Sequence, residues 1–133
     1  MAVNNPYQKY KDNSVNTASP GELTLMLYNG CLKFLNLSRK AIEQNNISEK
    51  NINLLKAQKI IKELMVTLKM EYEISKNLMS MYDYINRRLI EVNIKNDLTI
   101  LSEVEGYVTE LRDTWKQAIQ INRQIQYSKG GTV

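Results

Sequence analysis

A chain without a single histidine lacks the commonest general base of enzymes and the commonest nitrogen ligand of metal sites. Its one cysteine, Cys31, sits in the apolar run LYNGCLKFL with no imidazole anywhere to take its proton, so a buried thiol is expected rather than a nucleophile. Glu103 and Glu105 come nearest to a carboxylate pair. Residues two apart on a helix do not face each other, and these two read as solvated charge. A di-iron bundle needs paired Glu-x-x-His motifs, and Gly130-Gly131 precedes no helix that could cradle a phosphate. No catalytic residue, metal or cofactor is therefore expected. The densest polar group is Asp83, Arg87 and Arg88 in MYDYINRRL, where Asp83 and Arg87 stand at ion-pair spacing. Two readings stay open: a solvated surface pair, or an arginine fork reaching a neighbouring helix or a partner's carboxylate.

The chemistry that is present in surplus is apolar and adaptable. Of six methionines, Met65, Met70, Met79 and Met81 crowd a short stretch, and Tyr72, Tyr82 and Tyr84 stand among them. Methionine is flexible and polarisable and is over-used on surfaces that accept varied apolar partners. A fat core would account for this composition, and so would a groove for an apolar peptide or helix.

The elements that position these residues read as helices. Ser19-Pro20-Gly21-Glu22 is a helix start: Ser19 suits the cap, Pro20 the first turn, and Glu22 a capping box. One stripe runs Leu23, Met26/Leu27, Gly30, Phe34, Leu37, Ala41, and a second Leu25, Tyr28, Leu32, Leu35, Ile42. A helix so apolar around its circumference needs cover on several sides. Asn46 or Ser48 can cap a second helix expected to reach Tyr72, with the stripe Leu54, Ala57, Ile61, Leu64/Met65, Leu68, Tyr72. Ser75 suits the cap of a third, striped by Leu78, Met81/Tyr82, Ile85, Leu89 and Val92. Asn96 and Asp97 offer a cap for a fourth, whose positions Leu101, Val104, Val108, Leu111, Trp115, Ala118, Asn122, Ile125 alternate threes and fours. Gly106 lies within it, where it lowers stability unless it permits a close helix crossing.

Four amphipathic segments with short connections predict an all-α fold, an antiparallel up-down-up-down four-helix bundle. We expect an N-terminal arm over residues 1–18, the bundle over 19–127 and a fraying tail over 128–133. In the arm, Asn5-Pro6 marks a short helix start that would set Tyr7 and Tyr10 on one face, either as incidental aromatics of a flexible arm or as a lid on an apolar groove. The 133 residues suit one domain, and 43% hydrophobic residues suffice for a core. The single cysteine excludes an intrachain disulfide, and no basic-then-apolar leader or membrane-length apolar run appears, so a cytosolic protein is expected. A net charge of +4 on scattered lysines favours acidic partners weakly, and neither nucleic acid nor direct membrane insertion is expected.

At this point whole strings matter more than single positions. TASPGELTLMLYNGCLKFL, MYDYINRRLIEVNIKNDLTILSEVEGYV and TWKQAI closely resemble the flagellar secretion chaperone family, FliS, the bacterial cytosolic chaperones of flagellin. The matching elements are Tyr7, Ala18-Ser19-Pro20, Leu27-Tyr28-Asn29-Gly30, Tyr82-Asp83-Tyr84, Arg87-Arg88-Leu89, Asn96-Asp97, Val104-Glu105 and Trp115-Lys116, with a weaker middle from about Ile47 to Met79. The resemblance implies a helical bundle that is not an enzyme and uses no nucleotide. It implies binding of the C-terminal segment of flagellin, disordered when free and held as helices and extended pieces wrapped around the bundle. Such binding blocks premature polymerisation and presents the subunit to the cytosolic domain of the export-gate membrane protein.

A disordered client loses chain entropy on binding and needs a long apolar contact to offset it. The expected client groove is Ile61, Leu64, Leu68, Leu78, Met81, Tyr82 and Ile85, with Tyr7 and Tyr10 covering part of it until displaced. The uncovered surface also leaves room for a weak homodimer when no client is bound. The competing readings are a self-associating bundle and a nucleic-acid-binding one, the latter marked by steep loss of binding with salt.

Overall fold

The computed structural model describes residues 20–131, and the expectations for Tyr7, Tyr10 and Ser19 lie outside that range. Four helices follow one another: α1 (Pro20–Glu43), α2 (Ile47–Thr67), α3 (Glu73–Lys95) and α4 (Leu98–Gly131). Each packs against the next and α4 closes on α1, giving a ring of antiparallel neighbours, with the α1–α2 seam the most extensive. This is the up-down-up-down bundle the periodicity predicts, and no strand occurs among the described residues.

The core is the sum of the stripes. Tyr28, Cys31 and Leu35 of α1 meet Leu54, Ala57 and Ile61 of α2, Ile85, Leu89 and Val92 of α3, and Leu101, Val104 and Val108 of α4. Of the second stripe of α1, Tyr28 and Leu35 are buried and Leu25, Leu32 and Ile42 are half-buried, because α1 lies between α2 and α4 and packs against both. The α4 seam is enclosed only as far as Trp115. Ala118, Asn122 and Ile125 continue its period into solvent, while Ile119 and Arg123 still meet the first turn of α1.

Asparagines and one aspartate write the turns. Asn45 takes the left-handed conformation (φ 55°), its N–H reaching Ile42 O while that of Asn46 reaches Ala41 O, the paired closure that usually takes glycine. Asn46 then opens α2, its side chain accepting the Glu49 N–H at 3.1 Å. The expected cap at residues 96 and 97 divides the same way. Asn96 (φ 53°) closes α3 through Val92 O, and Asp97 opens α4 by accepting from Thr99 and Ile100.

Several expectations need correction. The second helix stops at Thr67, not Tyr72. Val66 and Thr67 are β-branched and Leu68 turns extended, its N–H drawn back to Met65 O, while the Thr67 hydroxyl donates to Leu64 O. The third helix starts at Glu73, so Ser75 is no cap. Its buried hydroxyl donates to Lys69 O at 2.6 Å and pins the connection 68–72 instead. Gly106 permits no close crossing: it is exposed, and a Cβ built there would meet nothing within 4 Å. The fourth helix also continues past residue 127 to Gly131. No helix among the described residues is long and apolar enough to cross a membrane.

Candidate functional site

Where α2 ends early, the bundle opens. A cleft of about 390 Å3 lies between Leu23, Thr24 and Leu27 of α1, Leu64 and Thr67 of α2, Leu68, Lys69 and Tyr72 of the connection, Ile74, Ser75, Leu78 and Tyr82 of α3, and Trp115 of α4. Its lining is mostly aliphatic and aromatic. The cause is local: a chain leaving the helix at Thr67 turns Leu68 and Tyr72 toward a space that a longer α2 would have closed.

Hydrogen bonds fix the walls. The Trp115 indole N–H donates to Gly21 O at 2.8 Å, locking the first turn of α1 to α4. A Cβ at Gly21 would sit 3.4 Å from the Ile119 side chain, in van der Waals contact with α4. Trp115 stands edge-on to Tyr28 at 6.4 Å, and the Tyr28 and Tyr82 hydroxyls meet 2.5 Å apart at the cleft floor. Burial raises the pKa of both phenols, so the floor is uncharged, and the Cys31 thiol deeper in the core is pushed up to about 12 by burial. Cys31 is fully enclosed and serves as a core residue.

Of the seven groove residues expected from sequence, Leu64, Leu68, Leu78 and Tyr82 come together in this cleft. Met81 is partly buried against the core, while Ile61 and Ile85 are sealed inside it and present no surface. Sequence reading missed Leu23, Leu27, Tyr72, Ile74 and Trp115 as lining. Leu23 and Leu27 stand at i, i+4 on the first α1 stripe, Tyr72 lies in a connection that the helical period had absorbed, and Ile74 falls in the first turn of α3, outside the stripe read for that helix. Of the lining residues, Tyr72 and Ile74 are exposed, as are Val66 near the end of α2 and Met70 in the connection. Gly30 is buried within α1.

The polar constellation resolves into both of its readings. Asp83 and Arg87 form an exposed pair at 3.1 Å along one helix, the surface reading. Arg88 is the fork: it reaches Glu103 of α4 at 2.8 Å and Glu91 at 3.0 Å, while the Tyr84 hydroxyl donates to the other Glu103 oxygen. Glu103 and Glu105 are therefore not solvated charge. Two positions apart, they face opposite neighbours, Glu103 toward α3 and Glu105 toward Arg39 of α1. Glu22 is likewise paired with Arg123 across the α1–α4 seam. Hydrogen bonding from Arg88 holds the Glu103 carboxyl below its ordinary pKa. Among the described residues, no group of three or more His, Cys, Asp or Glu could hold a metal ion.

A helical bundle whose polar side chains tie neighbouring helices together, and which opens among its described residues in an apolar cleft, has the architecture of a binding protein. The chain belongs to the FliS family, a family of chaperones rather than enzymes. The family model for Flagellar protein FliS matches residues 3–122. The chain is 59% identical over 131 residues to the flagellar secretion chaperone FliS of Bacillus subtilis strain 168, covering 98% of each. It is 38% identical over 109 residues to the Salmonella typhimurium FliS, covering 80% of this chain and 81% of that one. A solved structure described as a flagellar chaperone from bacteria superposes with a TM-score of 0.72 at 18% identity, over 86% of this chain and 95% of that one, and so shares the fold.

Proposed function

We propose that this chain is a cytosolic export chaperone that binds the disordered C-terminal segment of flagellin, prevents its premature polymerisation and carries it to the cytosolic domain of the export gate. The observation that carries this reading is the apolar cleft bounded by Leu68, Tyr72, Ile74, Leu78 and Trp115. Burying apolar surface offsets the entropy an ordering client loses, and a cleft walled by all four helices offers that surface without rearranging the bundle. A nucleic-acid site would instead need a basic lining, and Lys69 is the only cation among the cleft residues.

The N-terminal arm completes the mechanism. In sequence, residues 1–19 immediately precede the helix whose Leu23 and Thr24 form one wall of the cleft, and Tyr7 and Tyr10 belong to that stretch. In this reading they cover it until the client displaces them.

Mixing the chain with a synthetic flagellin C-terminal segment should give a one-to-one complex on a sizing column, and its affinity should vary little with salt. Absence of a complex refutes the client assignment, and a steep salt dependence favours a polyanion. Deleting residues before Val15 should leave the fold intact and change client affinity. Unchanged affinity by calorimetry removes the lid.

A further inference from the structure

At the opposite end of α2, where α1 hands over beside the close of α3, lies a second cavity of about 240 Å3. One side is apolar, formed by Ala41, Ile42 and Ile47, and the other carries Asn45, Asn46, Asn96 and Lys50. Lys50 is the unusual member, a lysine only 5% exposed. Its ammonium donates to Asn93 O at 2.9 Å and to Asn96 Oδ1 at 2.5 Å, both neutral oxygens. Among the described residues no carboxylate pairs with it.

Buried charge is normally balanced by an opposite charge, and an ammonium has three donors, of which two are used here. The same cavity is bounded by the first turn of α2, where the helix dipole adds positive potential and the one acid of that turn, Glu49, is engaged by Asn53. An enclosed cation, side-chain amides and an apolar wall form a site for a carboxylate that brings an apolar side chain with it. The terminal residue of a polypeptide has that form.

We propose that this cavity captures the C-terminal carboxylate of the client, an inference that rests on the C-terminal client segment of the preceding reading. The distances suit such a client. α2 separates the cavity from the apolar cleft by roughly 30 Å at about 1.5 Å per helical residue, a span that about nine extended residues or twenty helical ones cover. Ile47, 62% exposed, supplies apolar footing in the cavity wall. The carboxylate fixes the register of the bound segment, and the cleft takes an apolar anchor upstream of it.

The test compares two synthetic flagellin C-terminal peptides, identical except that one ends in a free carboxylate and the other in a carboxamide, by calorimetry against the full chain. The free acid should bind about ten-fold or more tightly, the value of one charge-assisted hydrogen bond. Lys50→Met should bind both peptides as the wild type binds the amide. Equal binding of the two peptides to the wild type overturns the proposal while leaving the client assignment standing. A preference that survives Lys50→Met places the carboxylate elsewhere, and an equal loss for both peptides assigns Lys50 to a side-chain carboxylate; either overturns it. If neither peptide binds, the client assignment itself has failed. The wild-type comparison needs no variant, so misfolding of Lys50→Met does not remove the test.

Discussion

The hydroxyls of Tyr28 on α1 and Tyr82 on α3 meet 2.5 Å apart inside an otherwise apolar core, tying two helices on opposite sides of the bundle. Each is the other's hydrogen-bond partner, so the pair is worth more intact than the sum of its halves. Tyr82→Phe leaves the Tyr28 hydroxyl buried without a partner and should cost about 1–3 kcal/mol. The double variant Tyr28→Phe/Tyr82→Phe removes both groups and should recover much of that loss. Urea unfolding of the four proteins of this cycle measures it, and a double variant weaker by the sum of the singles would rule out the mutual dependence.

The same burial makes the fold sensitive to alkali. The Tyr28, Tyr82 and Cys31 pKa values are all raised by desolvation, Cys31 from 9.0 to about 12. Each folded group keeps its proton where the unfolded chain would release it. Their contribution is complete below the unfolded values, 9.0 for the thiol and 10.0 for the phenols, and is lost as pH rises toward the folded ones. Stability measured by denaturant should be flat with respect to these groups up to about pH 9, then fall by about 1.4 kcal/mol per pH unit for each group that releases its proton only on unfolding. Cys31→Ala should remove the earliest part of the fall.

The acid side depends on Glu103. Its carboxyl is held low chiefly by the hydrogen bond from Arg88, so its stabilising contribution is present above its usual value of 4.5 and is lost as pH falls through its lowered folded value. Glu103→Gln should therefore flatten the acid limb of the stability profile and leave the alkaline limb unchanged. Denaturant midpoints for wild type and variant, compared from pH 7 downward, measure this; parallel acid limbs would count against the Arg88–Glu103 tie.

Helices and their number were legible because each apolar stripe keeps a helical period for several turns. Asn46 and Asp97 were legible as helix starts because polar side chains cluster there between apolar runs, whereas Asn96, read as a start, closes α3 instead. The end of α2 was not: the period runs on through Leu68 and Tyr72, and only tertiary space shows that these side chains face a cleft rather than a seam. The same blindness placed Ile61 and Ile85 in the groove, since periodicity marks an apolar face without saying how deep it lies. The buried cation of Lys50 was also hidden, because its partners are a main-chain carbonyl and an amide 43 and 46 residues away.

Gly106 gives a simple check on α4. It is helical, exposed and free of positive φ, with nothing within 4 Å of a Cβ built there. Gly106→Ala adds no clash and removes the entropic penalty of glycine in a helix, so it should stabilise the fold by about 0.5–1 kcal/mol. A loss of thermal stability would mean that the position has a packing role absent from the described bundle.

The seven residues read from the sequence as a groove now divide by depth, and the division is testable. Ile61 and Ile85 are fully buried, so truncation to alanine should cost about 2–5 kcal/mol and change client affinity only through the fold. Tyr72 and Ile74 line the cleft yet stay exposed, at 57% and 65%. Replacing them with polar residues should move stability by no more than about 0.5 kcal/mol. It should nonetheless weaken binding of a flagellin C-terminal peptide by about ten-fold, since each rim residue stands to bury apolar area worth roughly 25 cal/mol per Å2 in the complex. Thermal denaturation and calorimetry on the same four variants separate the classes. If Ile74→Ser bound the peptide as tightly as the wild type while remaining equally stable, the cleft would not be where the client docks.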